Sequence, residues 1–285
     1  MKTLVKEAYA KINLFLDMDS KREDGYHNII SVMQSVSLCD IISVSYEENG
    51  AKIIEITCSD PQIPLGEKNI AYKAADLLID NGHVKIHIEK RIPAAAGLAG
   101  GSTDAAATLT LLNQLISQPK SHDELLAIGA RIGADIPFCM LGGTKLTLGI
   151  GERMSDFEPM PDCHIVIACM GEGVSTPKAY FRLDELHGDF INYTPKRELL
   201  NILEKKDSSY YSGMFNIFES AVLPERPIAQ KIKETMLECG AIHSMMSGSG
   251  PSVFGIFDTE ERALHTRDLL IQMGADAHIC RPVNP

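Results

Sequence analysis

The sequence predicts an α/β or α+β protein of two domains, and three features predict it. The chain has 285 residues, beyond the roughly 100–200 of one typical domain. Residues 1–60 read as strands, whereas the remainder mixes strand and helix patterns. Acids and prolines collect between residues 152 and 162. The boundary is placed there, giving domains of residues 1–157 and 158–285.

Taken in order, AKINLFLDM, residues 29–44 and KIIEITC are the first strands, with turns at Glu23-Asp24-Gly25 and Asn49-Gly50. Residues 69–79 carry a helical pattern that Gly82 closes. Val84, Ile86 and Ile88 alternate with Lys85, His87 and Glu89, as in a half-buried strand. A helix opens near Thr103, where Ser102, Thr103 and Asp104 are favourable N-caps, and it must stop before Pro119. Ser121 and Glu124 form a capping box for the next helix, which ends around Gly133. Gly142-Gly143 suggests a hairpin turn into KLTLGIGE. In the second domain HIVIACM and SVFGIF are strands and residues 227–239 are helical. Asp258 and Glu261 cap a further helix ending before Gly274, and AHIC is the last strand.

Composition narrows the function. The chain is 45% hydrophobic and 23% charged, with a net charge of −11. That charge argues against nucleic acid as a partner, which calls for a basic face. It leaves room for a phosphorylated small molecule, because one loop can stay electropositive. No segment approaches the roughly 20 apolar residues of a membrane span. Glu7 interrupts the N-terminal run where a secretory signal would be unbroken. Seven cysteines (39, 58, 139, 163, 169, 239 and 280) with no C-x-x-C pair read as reduced thiols of a cytoplasmic protein, with neither a zinc site nor a disulfide framework.

The most informative stretch is residues 93–107, PAAAGLAGGSTDAAA. Gly97, Gly100 and Gly101 allow tight turning and close approach of the backbone to a ligand. The loop feeds a helix start, whose unpaired N–H groups and partial positive charge attract phosphate. A Walker A loop is excluded, since no lysine follows Gly101, and the dinucleotide fingerprint G-x-G-x-x-G is absent. A nucleotide phosphate loop of a third kind is expected.

Candidate chemical groups lie elsewhere. Asp135 stands two residues before Pro137, which is expected to force Ile136 out of helical geometry and hold the aspartate on a rigid turn. Lys11 lies within the apolar strand AYAKINLFL. Singly, Asp135 is a turn former and Lys11 protects a strand edge. Together they suggest a carboxylate that accepts a hydroxyl proton and an ammonium that polarises the hydroxyl. Tyr26 and His27 offer a flat ring and an imidazole suited to a base, and Tyr180, after Ser175-Thr176-Pro177, could supply a second ring. Each is equally compatible with ordinary turn or core packing. Ser247-Gly248-Ser249-Gly250-Pro251 is a second glycine loop, or a plain turn between strands.

The ordered set AYAKINLFL, REDGYHNI, PAAAGLAGGSTDAAA, GADIPFCMLGGTKLTLGIGE and MMSGSGPSVF resembles the GHMP kinase superfamily over nearly the whole chain. The resemblance implies an α+β sandwich with a ribosomal-protein-S5-like N-terminal domain and a ferredoxin-like C-terminal domain. It implies ATP, with Mg²⁺ bound alongside the nucleotide, and names no protein ligand for the ion. The acceptor it implies is an alcohol on a cytidine-diphosphate sugar alcohol. By position, Lys11 and Asp135 match the catalytic pair. Asn69, Lys90 and the run Pro93, Ala94, Ala95, Ala96, Gly97, Leu98, Ala99, Gly100, Gly101, Ser102 and Thr103 match the ATP site. Asn13, Tyr26, His27, Thr176, Tyr180 and Gly248 match substrate contacts, with the two tyrosines flanking cytosine and His27 reading its edge. Ala94, Ala95, Ala96 and Ala99 stand where relatives often carry glycine, so a stiffer loop is expected.

Two other readings compete. A kinase of the same superfamily acting on homoserine, mevalonate or a sugar would share the phosphate loop but have no use for the Tyr26, His27 and Tyr180 set. A non-catalytic nucleotide sensor, or an RNA-binding module on an S5-like fold, would need neither Lys11 nor Asp135, and the RNA version conflicts with the acidic charge.

Overall fold

The computed structural model describes residues 2–188, 196–205 and 209–284. The chain divides into two compact units that interleave along the sequence. The first comprises Met1–Ala10, Cys39–Ala94 and Ala99–Leu141, and the second Lys11–Leu38, Ala95–Leu98 and Gly142–Pro285. Two long strands, β1 (Lys2–Lys21) and β2 (His27–Glu47), contribute residues to both.

In the first unit, β3 (Ile53–Cys58), helix α1 (Ile70–Leu78) and β4 (His83–Glu89) form a β-α-β unit whose strands pair in parallel, from Ile53↔His83 to Cys58↔Ile88. The end of β2 runs antiparallel to β4, from Ile41↔Glu89 to Glu47↔His83. Alternation in β4 does what the sequence predicts: Val84, Ile86 and Ile88 are buried, while Lys85, His87 and Glu89 are exposed. The buried face packs with Ala71, Ala74 and Ala75 of α1 and with Ala105, Ala106 and Ala107 of α2 (Gly100–Asn113). Those alanines let helix backbones pack closely without side-chain entropy cost. Helix α3 (His122–Ile132) starts at the expected capping box, with Ser121 and Glu124 satisfying each other's backbone N–H groups.

Three expectations need correction. Helix α2 begins at Gly100, not near Thr103, and its N-cap is Ala99 at φ 57° with no side-chain cap. A left-handed Ala99 ends the loop by geometry, so the Ser102, Thr103 and Asp104 side chains do not cap it. Ile136 is not driven out of helical geometry: it opens α4 (Ile136–Leu141) with Pro137 in the first turn, where a missing N–H costs nothing. Asp135 therefore immediately precedes a helix. Gly142-Gly143 does not join two strands. Both residues take positive φ (67° and 75°) to turn the chain out of α4, a helix-end use of glycine.

The second unit holds β5 (Thr144–Gly149), antiparallel to β2 from Gln34↔Thr144 to Ile29↔Gly149, and β6 (Arg153–Asp156), antiparallel to β5. After β7 (His164–Cys169) come α5 (Thr176–His187), α6 (Lys196–Leu203) and the short β8 (Phe215–Asn216), parallel to β1 through Phe15↔Phe215. Then α7 (Glu219–Val222), α8 (Pro227–Glu238), β9 (His243–Met246), β10 (Val253–Phe257), α9 (Glu260–Gln272) and β11 (Asp276–Cys280) complete it. The order β11-β7-β10-β9 is antiparallel throughout. With α8 and α9 as crossovers it is the split β-α-β pattern of ferredoxin-like folds. Its core joins Val166, Ala168, Val253 and Phe257 to Ile232, Met236, Ala263 and Leu270. Helix α9 is capped by Thr259, whose side chain accepts from the Arg262 amide, rather than by Asp258. Asp258 instead pairs with Arg262.

Candidate active site

The expected phosphate loop is divided between the units. In the first lie Pro93, Ala94 and Ala99 to Thr103. The N-cap Ala99 offers no side-chain cap to α2, and the first-turn amides at Gly100, Gly101 and Ser102 are the groups a helix start can offer to phosphate. The Lys90 side chain underlies this turn. A Cβ on Gly100 would lie 3.0 Å from Lys90 Nζ.

Lys90 is itself buried between two carboxylates. Its Nζ donates to Asp104 Oδ2 at 2.9 Å and, at shorter range, to Asp40 Oδ2. Asp40 Oδ1 accepts from the amides of Arg91 and Ile92 at 2.6 and 2.8 Å, fixing the chain as it leaves β4 toward the loop. Asp104 Oδ1 is buried without a partner among the described residues. Burial pushes the Asp104 carboxyl up to about 8, against the opposing pull of Lys90. Burial alone would lower the Lys90 ammonium, but Asp104 and Asp40 outweigh it and raise its pKa. Lys90, expected in the adenine pocket, thus has its ammonium engaged beneath the loop. Asn69 caps α1, accepting from Ala71 N and donating to Pro64 O, both at 2.8 Å.

In the second unit, Ala95 to Leu98 thread past β1 and the second glycine loop. Lys11 N donates to Leu98 O at 3.1 Å, and Ser247 Oγ donates to Gly97 O at 3.0 Å. Ala95 takes φ 51°, so two alanines of the loop, Ala95 and Ala99, occupy left-handed backbone, at about 1–2 kcal/mol each. Buried Lys11 donates through Nζ to Asn13 Oδ1 at 2.6 Å, and Asn13 Nδ2 donates to Ser31 Oγ at 2.8 Å. A Cβ on Gly248 would come within 3.5 Å of Lys11 Nζ. Residues 95–98, Lys11, Asn13 and Gly248 are therefore one cluster. The glycine loop is held from below by Asn216, whose Nδ2 donates to Met246 O and Gly248 O at 2.7 and 2.9 Å. Thr176, opening α5, bonds Ser249 Oγ at 2.9 Å.

The candidate base readers form a second cluster in the same unit. Rings of His27 and Tyr180 stack with centroids 5.0 Å apart and planes 14° apart, and Tyr180 meets Phe218 edge-on at 4.9 Å. Tyr26 is 63% exposed beside them in sequence. Asp184 Oδ1 lies 2.7 Å from His27 Nε2, and its Oδ2 accepts from Lys21 Nζ at 2.7 Å. Burial alone would raise the Asp184 pKa, but the Lys21 and His27 hydrogen bonds hold it below the ordinary carboxylate range.

Asp135, the expected base, is half-buried in the first unit, with its carbonyl accepting from Cys139 N at 3.0 Å. The sequence alone singles out neither Asp40, Asp184 nor Asn216, and offers Asp104 only as an N-cap residue. Only Asn216 carried a signal, as a lone amide inside the apolar run MFNIF. Long-range pairing positions the three aspartates.

Comparison with known proteins fits this geometry. A family model of the GHMP kinases N terminal domain matches residues 69–143, and one of the GHMP kinases C terminal matches residues 196–269. A 4-diphosphocytidyl-2-C-methyl-D-erythritol kinase of Clostridium botulinum (strain Alaska E43 / Type E3) is 40% identical over 282 residues, 97% of this chain and 99% of that one. The chain belongs to the GHMP kinases. A solved 4-(cytidine 5'-diphospho)-2C-methyl-D-erythritol kinase superposes on this GHMP kinase with a TM-score of 0.82 at 30% identity, covering 99% of this chain and 100% of that one. A homoserine kinase from Cytophaga hutchinsonii superposes with a TM-score of 0.69 at 18% identity, over 96% and 95% of the two chains, and shares the fold. Among the described residues no helix is long and apolar enough to cross a membrane.

Proposed function

We propose that this GHMP kinase transfers the γ-phosphoryl group of ATP to the 2-hydroxyl of 4-diphosphocytidyl-2-C-methyl-D-erythritol, in the non-mevalonate route to isoprenoid precursors. The observation that carries the reading is identity of 40% along 97% of the chain to a relative of that name. The stacked His27 and Tyr180 add to it, since a homoserine or mevalonate kinase has no base to stack. We keep the family's domain division at 157/158: the N-terminal match ends at 143 and the C-terminal match begins at 196. Seven free cysteines suit a cytoplasmic enzyme.

Phosphoryl transfer asks a protein for position and charge more than for covalent chemistry. The first-turn amides of Gly100, Gly101 and Ser102 hold the phosphates, and Asn69 belongs to the adenine side. Asp135 accepts the proton of the attacking hydroxyl, and Lys11, its ammonium oriented by Asn13, polarises that hydroxyl. Thr176, through Ser249, and Gly248 line the sugar-alcohol side, and His27 with Tyr26 and Tyr180 takes the base. Among the described residues no three His, Cys, Asp or Glu side chains group to hold a metal. Mg²⁺ keeps its waters and rides on substrate phosphates with one or two protein oxygens; half-buried Ser102 would supply one. When bound, the ion neutralises phosphate charge.

A phosphorus NMR product assay tests the reading. With ATP and the cytidine-linked erythritol, a phosphomonoester resonance and ADP are expected, and none with homoserine or mevalonate. Transfer to one of those alcohols and not to the cytidine-linked one would overturn it.

A further inference from the structure

We infer that Asp184 is a positioning residue for base selectivity. It accepts the Nε2 proton of His27 and so leaves Nδ1 as a lone-pair acceptor, which favours a pyrimidine with an amino group at position 4 over one with a carbonyl there. The inference rests on the reading above that the substrate carries a cytosine.

Tyr180 and Asp184 are four residues apart on α5, so they share one face of the helix, and both meet His27. Tyr180 stacks on the imidazole face and Asp184 bonds its Nε2 edge at 2.7 Å. The His27 side chain is 8% exposed, so its orientation is set by these two neighbours. An ionised carboxylate only accepts, and Lys21 on the other oxygen keeps it ionised. Nε2 must therefore carry the hydrogen. In a neutral imidazole the remaining nitrogen is then an acceptor, because the partner of one ring nitrogen fixes the tautomer of the other. No hydrogen bond among the described residues engages Nδ1.

Geometry converts that tautomer into selectivity. A base bonded edge-to-edge with Nδ1 lies in the imidazole plane, and so within about the same 14° of the Tyr180 plane. A base in that pose lies parallel to the Tyr180 ring, the orientation that stacking requires. Cytosine presents an N4 amino donor, whereas uracil presents a carbonyl oxygen at that position. Uracil could offer only its N3–H, by sliding one ring position along the edge, and the ribose and diphosphate attached to the same base resist that slide.

Nitrogen NMR of histidine-labelled protein, with the His27 resonances assigned by a His27→Gln variant, reads the tautomer directly in the ligand-free enzyme at pH 8. Titration with CMP and UMP reads selectivity without turnover. The expected result is an Nε2–H tautomer and a dissociation constant for UMP about 5- to 150-fold above that for CMP, the range of one good base contact. Asp184→Leu is expected to abolish this ratio, and Asp184→Asn, which still offers an acceptor, to restore much of it. An Nδ1–H tautomer in the native protein, or an unchanged ratio in Asp184→Leu, would overturn the inference. If Asp184→Leu does not fold, the tautomer and the Asp184→Asn ratio decide. Failure of phosphoryl transfer to the cytidine-linked alcohol, with CMP still preferred, would instead remove the substrate reading alone.

Discussion

Gly97 passes so close to Ser247 that a Cβ on the glycine would sit 2.2 Å from the Ser247 carbonyl oxygen. The Ser247 hydroxyl in turn bonds Gly97 O at 3.0 Å, so the middle of the proposed phosphate loop and the second glycine loop are fitted backbone to backbone. Gly97 also has φ 79°. A methyl group here meets both a left-handed backbone and an immovable carbonyl. Gly97→Ala is expected to lower stability by about 1–3 kcal/mol and to raise the KM for ATP several-fold. Gly171 has φ 85° and nothing within 4 Å of its Cβ position. Gly171→Ala therefore isolates the conformational part, about 1 kcal/mol, with no effect on KM. Urea midpoints and ATP saturation curves for both variants check the contrast.

Asn216 gives the glycine loop its floor. It is 4% exposed, donates twice to Met246 O and Gly248 O, and accepts from Phe218 N at 3.0 Å. Asn216→Ala removes the partners of two carbonyls and one amide, and an unpaired buried polar group costs about 1–3 kcal/mol. A loss of at least that size is expected in urea unfolding. Asn216→Asp keeps the acceptor for Phe218 N but loses both donors, so it should fall no higher than the alanine variant. An aspartate variant as stable as the native protein would show that the loop carbonyls do not depend on this amide.

Much of this architecture is legible in the chain because it depends on local order. The Val84, Ile86, Ile88 alternation, the Ser121 and Glu124 capping box and the helix of residues 227–239 each follow from neighbours within one or two turns. The misread points share a cause as well. Ala99 takes a left-handed φ that its own residue type disfavours, and Pro137 sits in a helical first turn because α4 packs Ile136 and Phe138 inward; tertiary contacts overrode propensity in both places. Asp184, Asp40 and Asp104 acquire their roles from partners 157, 50 and 14 residues away. No local pattern announces such pairs.

Lys90 bridges two buried acids, and the two possible losses are unequal. Lys90→Met leaves Asp40 and Asp104 buried without their cation, which is expected to cost about 3–5 kcal/mol. Asp104→Asn keeps one acid with one base and should be far milder at neutral pH. Titration separates the roles further. The Asp104 carboxyl is raised from 3.8 to about 8 on folding, so between those values the native state holds a proton that the unfolded chain has released. Stability from this group is then full below about pH 4 and is lost as pH rises toward about 8. Urea midpoints of the native protein should show this declining component, and Asp104→Asn should lack it. Parallel pH profiles for the two proteins would refute the assignment.

Asp135 is the residue on which the proposed chemistry turns. It is half-buried directly before α4, with its own carbonyl engaged by Cys139 N, so its backbone position does not depend on the carboxylate. Asn matches Asp in size, leaves that backbone bond in place and cannot accept a proton from the attacking hydroxyl. Asp135→Asn is therefore expected to lower kcat by about 10²–10⁴-fold while ATP binds as before, since the proposed site gives the phosphates to loop amides and not to this side chain. Coupled ADP release measures the first quantity and calorimetric titration with ATP the second. A kcat within a few-fold of native would place the proton elsewhere. A joint loss of turnover and ATP affinity would make Asp135 part of the nucleotide site instead of the base.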